Sequence, residues 1–256
     1  MYLGSDPELF LKRDGNYVSA IGLIGGTKDK PRPIKTLGKG FAIQEDNVLL
    51  EYNTPPVKTM GKWVEVHNKM MTYLSSMLQE KGMTYDIAAS VIMPEEALRH
   101  PKAMVFGCEP DFNVWTCKIN PKPASSEWRL RSAGGHVHIG TPLASNVAAI
   151  QLGRTCDAFL GLWSVINDPD ERRKELYGKA GSIRFKPYGI EYRVMSNFWL
   201  KNEDLTREVW RLADLAVVTS RENWKPGFLD KVRTAIDKGD KAAADLLLEK
   251  AHGCGW

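Results

Sequence analysis

No stretch of this 256-residue chain approaches the run of roughly 20 apolar residues that a membrane-spanning helix needs. Cysteine is scarce: Cys108, Cys117, Cys156 and Cys254 form no CxxC pair, which excludes the usual zinc and redox motifs. Reduced thiols in a cytoplasmic protein are the expectation. Met1 to Asp6 contains no basic region followed by an apolar run, so no signal peptide is expected. Neither sign of charge dominates, with 35 Lys and Arg against 31 Asp and Glu and a formal net charge of +4. That balance would suit a polyanionic ligand such as a nucleotide. It is too weak to argue for nucleic acid as the main partner. Also missing are a GxxxxGK[ST] loop, a nucleophile elbow, an HExxH pair, a kinase signature and any internal repeat.

What remains is 43% hydrophobic and 26% charged, ordinary for a globular chain and long enough for one large domain or two small ones. Its most informative stretch is Gly134-Gly135-His136-Val137-His138-Ile139-Gly140. Histidines and aliphatic residues alternate there between glycines, which predicts a half-buried strand with two imidazoles about 7 Å apart on its polar face. Such a pair can share a metal ion or a phosphate chain, and two hydrogen-bonded surface histidines would give the same pattern.

Three further stretches supply charge at strand spacing. Asp6 and Glu8 flank Pro7, so on an extended chain both carboxylates face one way. Phe41 to Asn53 reads as a strand with Asn47, Leu49, Glu51 and Asn53 on one face, and Glu45 and Asp46 in the turn before it. Ile190 to Val194 alternates as well, with Glu191 and Arg193 side by side, a pattern that a cross-strand ion pair alone would explain. Two basic loops accompany them. Gly25 to Pro33 could bring Lys28, Lys30 or Arg32 to a phosphate, and Gly178 to Gly189, with Ser182, Arg184 and Lys186, suits a loop that wraps an anion. Mobile solvated turns have the same composition.

Arg13-Asp14-Gly15-Asn16 predicts a hairpin turn with Tyr17 to Ile24 as the return strand. Apolar spacing predicts helices over Lys58 to Lys81 and Ala144 to Asn167, with His67 as packing and Asp157 in a solvated or capping role. From Asn202 the chain reads as helical, with breaks near Pro226 and Gly239-Asp240. Thr84 to Trp128 is poorly patterned. Carboxylates with one or two imidazoles form a hard donor set suited to Mg²⁺ or Mn²⁺. The basic loops add what a nucleoside triphosphate requires.

Taken in order, GSDPELF, DNVLLEYNTPP, GGHVHIG and GSIRFKPYGIEYRVMSNFW resemble the phage and bacterial carboxylate–amine ligases of the phiEco32-like type 2 group. These are distant relatives of glutamate–cysteine ligase and glutamine synthetase. The resemblance spans about residues 1–200. It implies an α+β fold in which a curved, mainly antiparallel sheet forms a funnel, with helices on its outer face and ATP entering one end. Residues 1–200 would be the catalytic domain and 201–256 a C-terminal helical extension packed on it. The resemblance also implies that Asp6, Glu8, Glu51, His136 and Glu191 bind metal and that His138 meets the nucleotide phosphates. Lys186, Lys30 and Ser182 of the basic loops would join His138, and Arg193 and Arg184 would neutralise the γ-phosphate.

The implied activity is amide formation from a carboxylate and an amine (an amino acid, peptide or polyamine), driven by ATP with Mg²⁺ or Mn²⁺ through an acyl phosphate. It would take place in the cytoplasm, the host's if the protein is phage-encoded. A phosphotransferase of the guanidino-kinase type would use the same site. A non-catalytic module binding nucleic acid or protein stays open at this point, as does the oligomeric state.

Overall fold

A computed structural model describes residues 1–104, 111–122, 125–143 and 145–253. Its first strands are β1 (Tyr2–Ser5), β2 (Glu8–Arg13) and β3 (Asn16–Val18), followed by β4 (Arg32–Pro33), β5 (Ala42–Asp46) and β6 (Leu49–Asn53). Helix α1 (Met60–Gln79) leads to β7 (Met83–Asp86) and β8 (Ser90–Ile92), then to β9 (Phe112–Asn113), β10 (Lys118–Ile119), β11 (Leu130–Ser132) and β12 (Val137–Gly140). Helix α2 (Asn146–Cys156) passes through a π turn at Asp157–Gly161 into α3 (Leu162–Asn167). The hairpin of β13 (Ser182–Lys186) and β14 (Gly189–Tyr192) precedes α4 (Glu203–Thr219), α5 (Phe228–Lys238) and α6 (Lys241–His252).

Two six-stranded antiparallel sheets carry the architecture. One has the order β1-β12-β14-β13-β9-β10, and the other β3-β2-β6-β5-β4 with β7 also paired to β2. They meet at Asp6-Pro7, the break between β1 and β2. Pro7 has no N–H to give a ladder there. The chain of β6 continues past the break, with Tyr52 N donating to Pro7 O (3.1 Å) and Thr54 N to Ser5 O (3.1 Å). Leu3 then bridges Val57. The sheets therefore curl into one another around the first acidic stretch, and the fold is α+β with a curved antiparallel framework.

Alternation assigns the faces. Val137, Ile139, Ile183, Ile190 and Tyr192 are fully buried on one side of the first sheet, where α2 backs them. The approach is close: a Cβ on Gly153 would lie 2.8 Å from Val114 and 3.1 Å from Ile183. Helix α1 begins at the N-cap Thr59 and stacks Trp63 on Trp199 with ring centroids 5.6 Å apart. His67 packs beneath it as expected, bonded to Tyr52 Oη (2.9 Å) and Ser5 Oγ (3.2 Å). Burial pushes its imidazole down to about 3, so it stays neutral.

Several boundaries differ from the sequence reading. Residues 41–53 form a hairpin, because Asn47 adopts a left-handed conformation (φ 52°) that a short polar side chain tolerates. Residues 178–189 are not a loop; β13 runs through them, set by its register with β14. The return strand after Asp14-Gly15 ends at Val18. The helical run begins at Asn202 as expected, with Asn202 as the N-cap of α4, and Gly239 ends α5 with Asp240 capping α6. Cys117 is exposed and Cys156 buried, both as free thiols, whereas Cys108 and Cys254 lie outside the described residues. No helix among the described residues is long and apolar enough to cross a membrane.

Asp157 is the largest departure. It is fully buried, neither solvated nor capping, because it lies one helical turn after Gly153, on the face that packs against the sheet. Its carboxyl accepts from Tyr192 Oη and Trp115 Nε1, both at 2.7 Å. Burial raises it from 3.8 to about 7, against those hydrogen bonds. A carboxyl raised on folding binds more protons in the native than in the unfolded state between those two values. Stability therefore falls as pH climbs from about 4 to about 7 and levels off above that. Urea denaturation over this range is expected to show the decline in the wild type, on the order of a few kcal/mol, and a flatter profile in Asp157→Asn.

Candidate functional site

The opposite face of the first sheet is polar, and strand register builds it row by row. Gly4 pairs with His138, His138 with Glu191, and Glu191 with Arg184, across β1, β12, β14 and β13. Two residues along, Tyr2, Gly140, Gly189 and Lys186 form the next row. Asp6, just past the end of β1, folds over this surface. Its Oδ2 lies 3.0 Å from His138 Nε2 and its Oδ1 3.4 Å from His136 Nδ1. His136 precedes β12, and its ring fills the space that a Cβ on Gly134 would need, 2.2 Å from Nε2. Gly135 is fixed as closely, since a Cβ there would lie 2.2 Å from Ser196 O and 2.4 Å from Trp199 Nε1. Gly134 is thus a steric requirement of the histidine ring, and Gly135 of the close approach of Ser196 and Trp199.

Among the described residues two groups of ligand atoms result, each within 4.8 Å: Asp6, His136 and Glu191 in one, Glu8, Asp46 and Glu51 in the other. Asp6 and Glu8 do not share a cluster, because the break at Pro7 sends them to different sheets. Glu8 sits directly opposite Glu51 in the β2–β6 ladder, and the hairpin at Asn47 swings Asp46 alongside. The Gly134 amide donates to Glu8 Oε2 at 2.6 Å, tying the second group to the histidine strand.

The electrostatics of the two groups differ. Burial works to raise Asp6, but the His138 charge and hydrogen bonds from both imidazoles hold it well below the usual carboxylate range. Burial and Asp6 push Glu191 upward, yet Arg193 and the two imidazoles hold it down to about 2. Burial opposes the charge on His138, and Asp6 more than offsets it, so the imidazole is raised. In the second group burial comes first, and Asp6, Asp46 and Glu8 add to it, so Glu51 is lifted well above its ordinary value. Glu8 is raised by burial as well.

Cations surround the first group. Lys186 Nζ lies 2.7 Å from Glu191 Oε2, and Arg184 Nη1 lies 3.7 Å from Glu191 Oε1. Arg193 contacts Glu191 and His136, and its Nε is 2.7 Å from Asp111 Oδ1. Asp111 also faces Arg184 at 3.8 Å. His138 Nδ1 bonds Tyr188 Oη at 2.5 Å. A cavity of about 770 Å³ opens beside this group, with Tyr2, His138, Gly140, Phe185, Lys186 and Tyr188 in its wall.

Asp6, Glu8, Glu51, His136, His138, Arg184, Lys186, Glu191 and Arg193 therefore come together. Lys30 does not: it lies exposed in its loop, where its amide bonds Thr27. Ser182 belongs to the frame, since its Oγ accepts from Asn120 Nδ2 (3.0 Å) and its carbonyl from Arg193 N (3.0 Å). Sequence reasoning missed Asp46, Asp111 and Tyr188. Asp46 depends on the hairpin, and Asp111 borders a two-residue strand too short to show a period. Tyr188, two residues from Lys186 in the same motif, was open to the alternation argument. Oxygen-rich groups with one imidazole suit a hard divalent cation such as Mg²⁺ or Mn²⁺, so the donor chemistry fits the implied metal.

Comparison with known proteins adds two findings. The family described as "Phage phiEco32-like COOH.NH2 ligase-type 2" matches residues 120–252, about half of the chain. A solved structure described as a novel glutamine synthase homolog aligns at a TM-score of 0.39 and 12% identity, covering 98% of this chain and 64% of that one. The chain thus spans less than two thirds of that protein's length. Among curated proteins none matches the chain.

The Glu8–Glu51 opposition generates a stability prediction, because like charges directly opposite in a ladder are destabilising. Without divalent metal, Glu51→Gln is expected to raise unfolding stability by up to about 1 kcal/mol in urea titrations. Unchanged or lowered stability would mean that the carboxylates are already accommodated.

Proposed function

Because the chain belongs to the phage phiEco32-like COOH.NH2 ligase-type 2 family, we propose that it is an ATP-dependent ligase joining a carboxylate to an amine through an acyl phosphate. The observation that carries this reading is the meeting of two carboxylate groups with Arg184, Lys186 and Arg193 beside a cavity of nucleotide size. Residues 1–200 are proposed as the catalytic unit, since every charged group of the site lies between Asp6 and Arg193. Residues 201–256 are proposed as a helical extension packed on it. The place of action would be the cytoplasm.

In the proposed reaction a carboxylate oxygen forms a bond to the γ-phosphorus of ATP as the bond to ADP breaks. The amine nitrogen then attacks the acyl carbon, the carbon–oxygen bond to phosphate breaks, and one proton leaves the nitrogen. Asp6, His136 and Glu191 would hold one divalent ion and Glu8, Asp46 and Glu51 another, supplying positive charge to the phosphates. Lys186 and His138 line the cavity and would bind the nucleotide phosphates. Arg193 and Arg184 would neutralise charge on the transferred group, where fixed electrostatics supply most of the catalysis. Asp111 is a positioning residue, since it orients both guanidiniums. Amino acids, peptides and polyamines are the candidate partners.

Phosphate release from MgATP over pooled carboxylates and amines tests the reading. A substrate-dependent rate that drops at least about 100-fold in Glu191→Gln, with an amide as product, is expected. A stable phosphorylated product would instead indicate a phosphotransferase. Salt-sensitive binding to nucleic acid that persists in Glu191→Gln would favour a non-catalytic module. Asp111→Asn is expected to lower kcat more than it raises KM for ATP, because it loosens groups that act on the transferred phosphoryl.

A further inference from the structure

One buried arginine has no part in these roles. Arg173 stands in a single 3₁₀ turn (Arg172–Glu175) and is 5% exposed. Its Nε donates to Ala133 O at 3.2 Å and its Nη1 to Val194 O at 2.7 Å, while its amide is held by Asp170 Oδ1 at 2.8 Å. Gly178 leaves room for the guanidinium, for a Cβ there would lie 2.4 Å from Nη1. Among the described residues no carboxylate lies within ion-pair distance of it. Backbone carbonyls orient the group without neutralising it; burial works against its charge, and Asp168 and Glu8 offset that only from beyond ion-pair distance.

Arg173 borders a small cavity of about 50 Å³, shared with Glu8, Asp46, His136 and Arg193. That volume accommodates a headgroup of a few heavy atoms and excludes a nucleotide. Arg131 is also in the wall, but its guanidinium is engaged by the carbonyls of Trp128, Leu130 and Ala103. Glu8 and Asp46 repel any anion placed there, and Arg193 already serves Glu191 and Asp111. An anion in this cavity therefore needs the charge of Arg173. The position matters too: Arg193 lines the cavity and contacts Glu191, the carboxylate that Lys186 also meets on the side where the phosphates are proposed to lie.

We propose that this cavity receives the carboxylate of the acyl substrate, with Arg173 as its counter-charge and specificity residue. The assignment rests on the ligase reading for the direction of phosphoryl transfer. Held between Arg173 and Arg193, one carboxylate oxygen faces the phosphate side. The cavity recognises the carboxylate group alone and leaves the chain behind it to the rim at Asn47 and Tyr177. The substrate class is thus a carboxylate at the end of a longer molecule.

The test is thermal denaturation of the full chain with Mg²⁺, adding glutarate against sodium chloride of equal ionic strength. Glutarate is expected to raise the Tm of the wild type saturably, with its half-saturating concentration about tenfold higher in Arg173→Lys and the shift abolished in Arg173→Gln. Equal shifts in wild type and Arg173→Gln, or none in the wild type beyond chloride, overturn the assignment. So does a shift with inorganic phosphate and not with glutarate. A wild-type crystal with 4-bromobutyrate needs no variant: bromine signal is expected beside the Arg173–Arg193 cavity, and signal only elsewhere overturns it. Calorimetry of wild type with a non-hydrolysable MgATP analogue separates the two readings. No nucleotide binding with a retained glutarate shift sinks the ligase reading and keeps the anion site; the reverse pattern sinks the anion site alone.

Discussion

Glu8 and Glu51 stand opposite one another across β2 and β6, Asp46 joins them from β5, and Asp6 and Glu191 gather with His136 on the neighbouring sheet. Carboxylates crowd together in this way only where something answers their charge. On the Asp6 side the answer is internal, from two imidazoles, Lys186, Arg184 and Arg193. On the Glu8 side the help is weaker, from His136, the Gly134 amide and Arg193 on Glu8 and from Gln44 on Glu51, and burial and mutual repulsion outweigh it. The asymmetry marks the second group as the one with more to gain from a bound cation.

The curl of the framework follows from the same place. A continuous strand from Tyr2 to Arg13 would put Asp6 and Glu8 on one face of one sheet. Pro7 interrupts it, β6 pairs across the gap, and the carboxylates part to serve two adjoining groups. Gly134 and Gly135 then let the histidine strand approach closely enough for its amide to reach Glu8 and its ring to reach Asp6. Behind the sheet, Tyr192 anchors the strand of Glu191 to Asp157, so the polar face is backed by a hydrogen bond as well as by apolar packing.

What could be read in advance tracks the period of two. His136, His138, Glu191 and Arg193 were legible because a strand alternates over several residues, and the flanking glycines and tyrosines made the motif distinctive. Glu51 was legible for its face though not for its hairpin, since a left-handed Asn47 leaves no mark on hydrophobic periodicity. Asp111 and Arg173 were not legible. Asp111 borders a two-residue strand and Arg173 sits in a four-residue turn, and each acquires meaning only from partners far along the chain. Asp157 looked like a surface position because a charged side chain was assumed to face water, although it follows Gly153 by one helical turn on the face that packs against the sheet. Lys30 shows the converse, a plausible charge in a loop whose path the sequence does not specify.

The site is stitched from positions far apart in the chain: Asp6 lies against His136 and His138, and Gly4 shares a row with Glu191 and Arg184. None of these contacts is local, and closing such large loops is slow relative to forming helices such as α1. During synthesis the amino-terminal strand must wait for its partners, since β1 finds an edge only once β12 has emerged and β12 is completed only by β14. The Asp6–His136–Glu191 group therefore comes into being late, whereas Glu8, Asp46 and Glu51 need only β2, β5 and β6, so a partly made chain can hold the second group before the first exists.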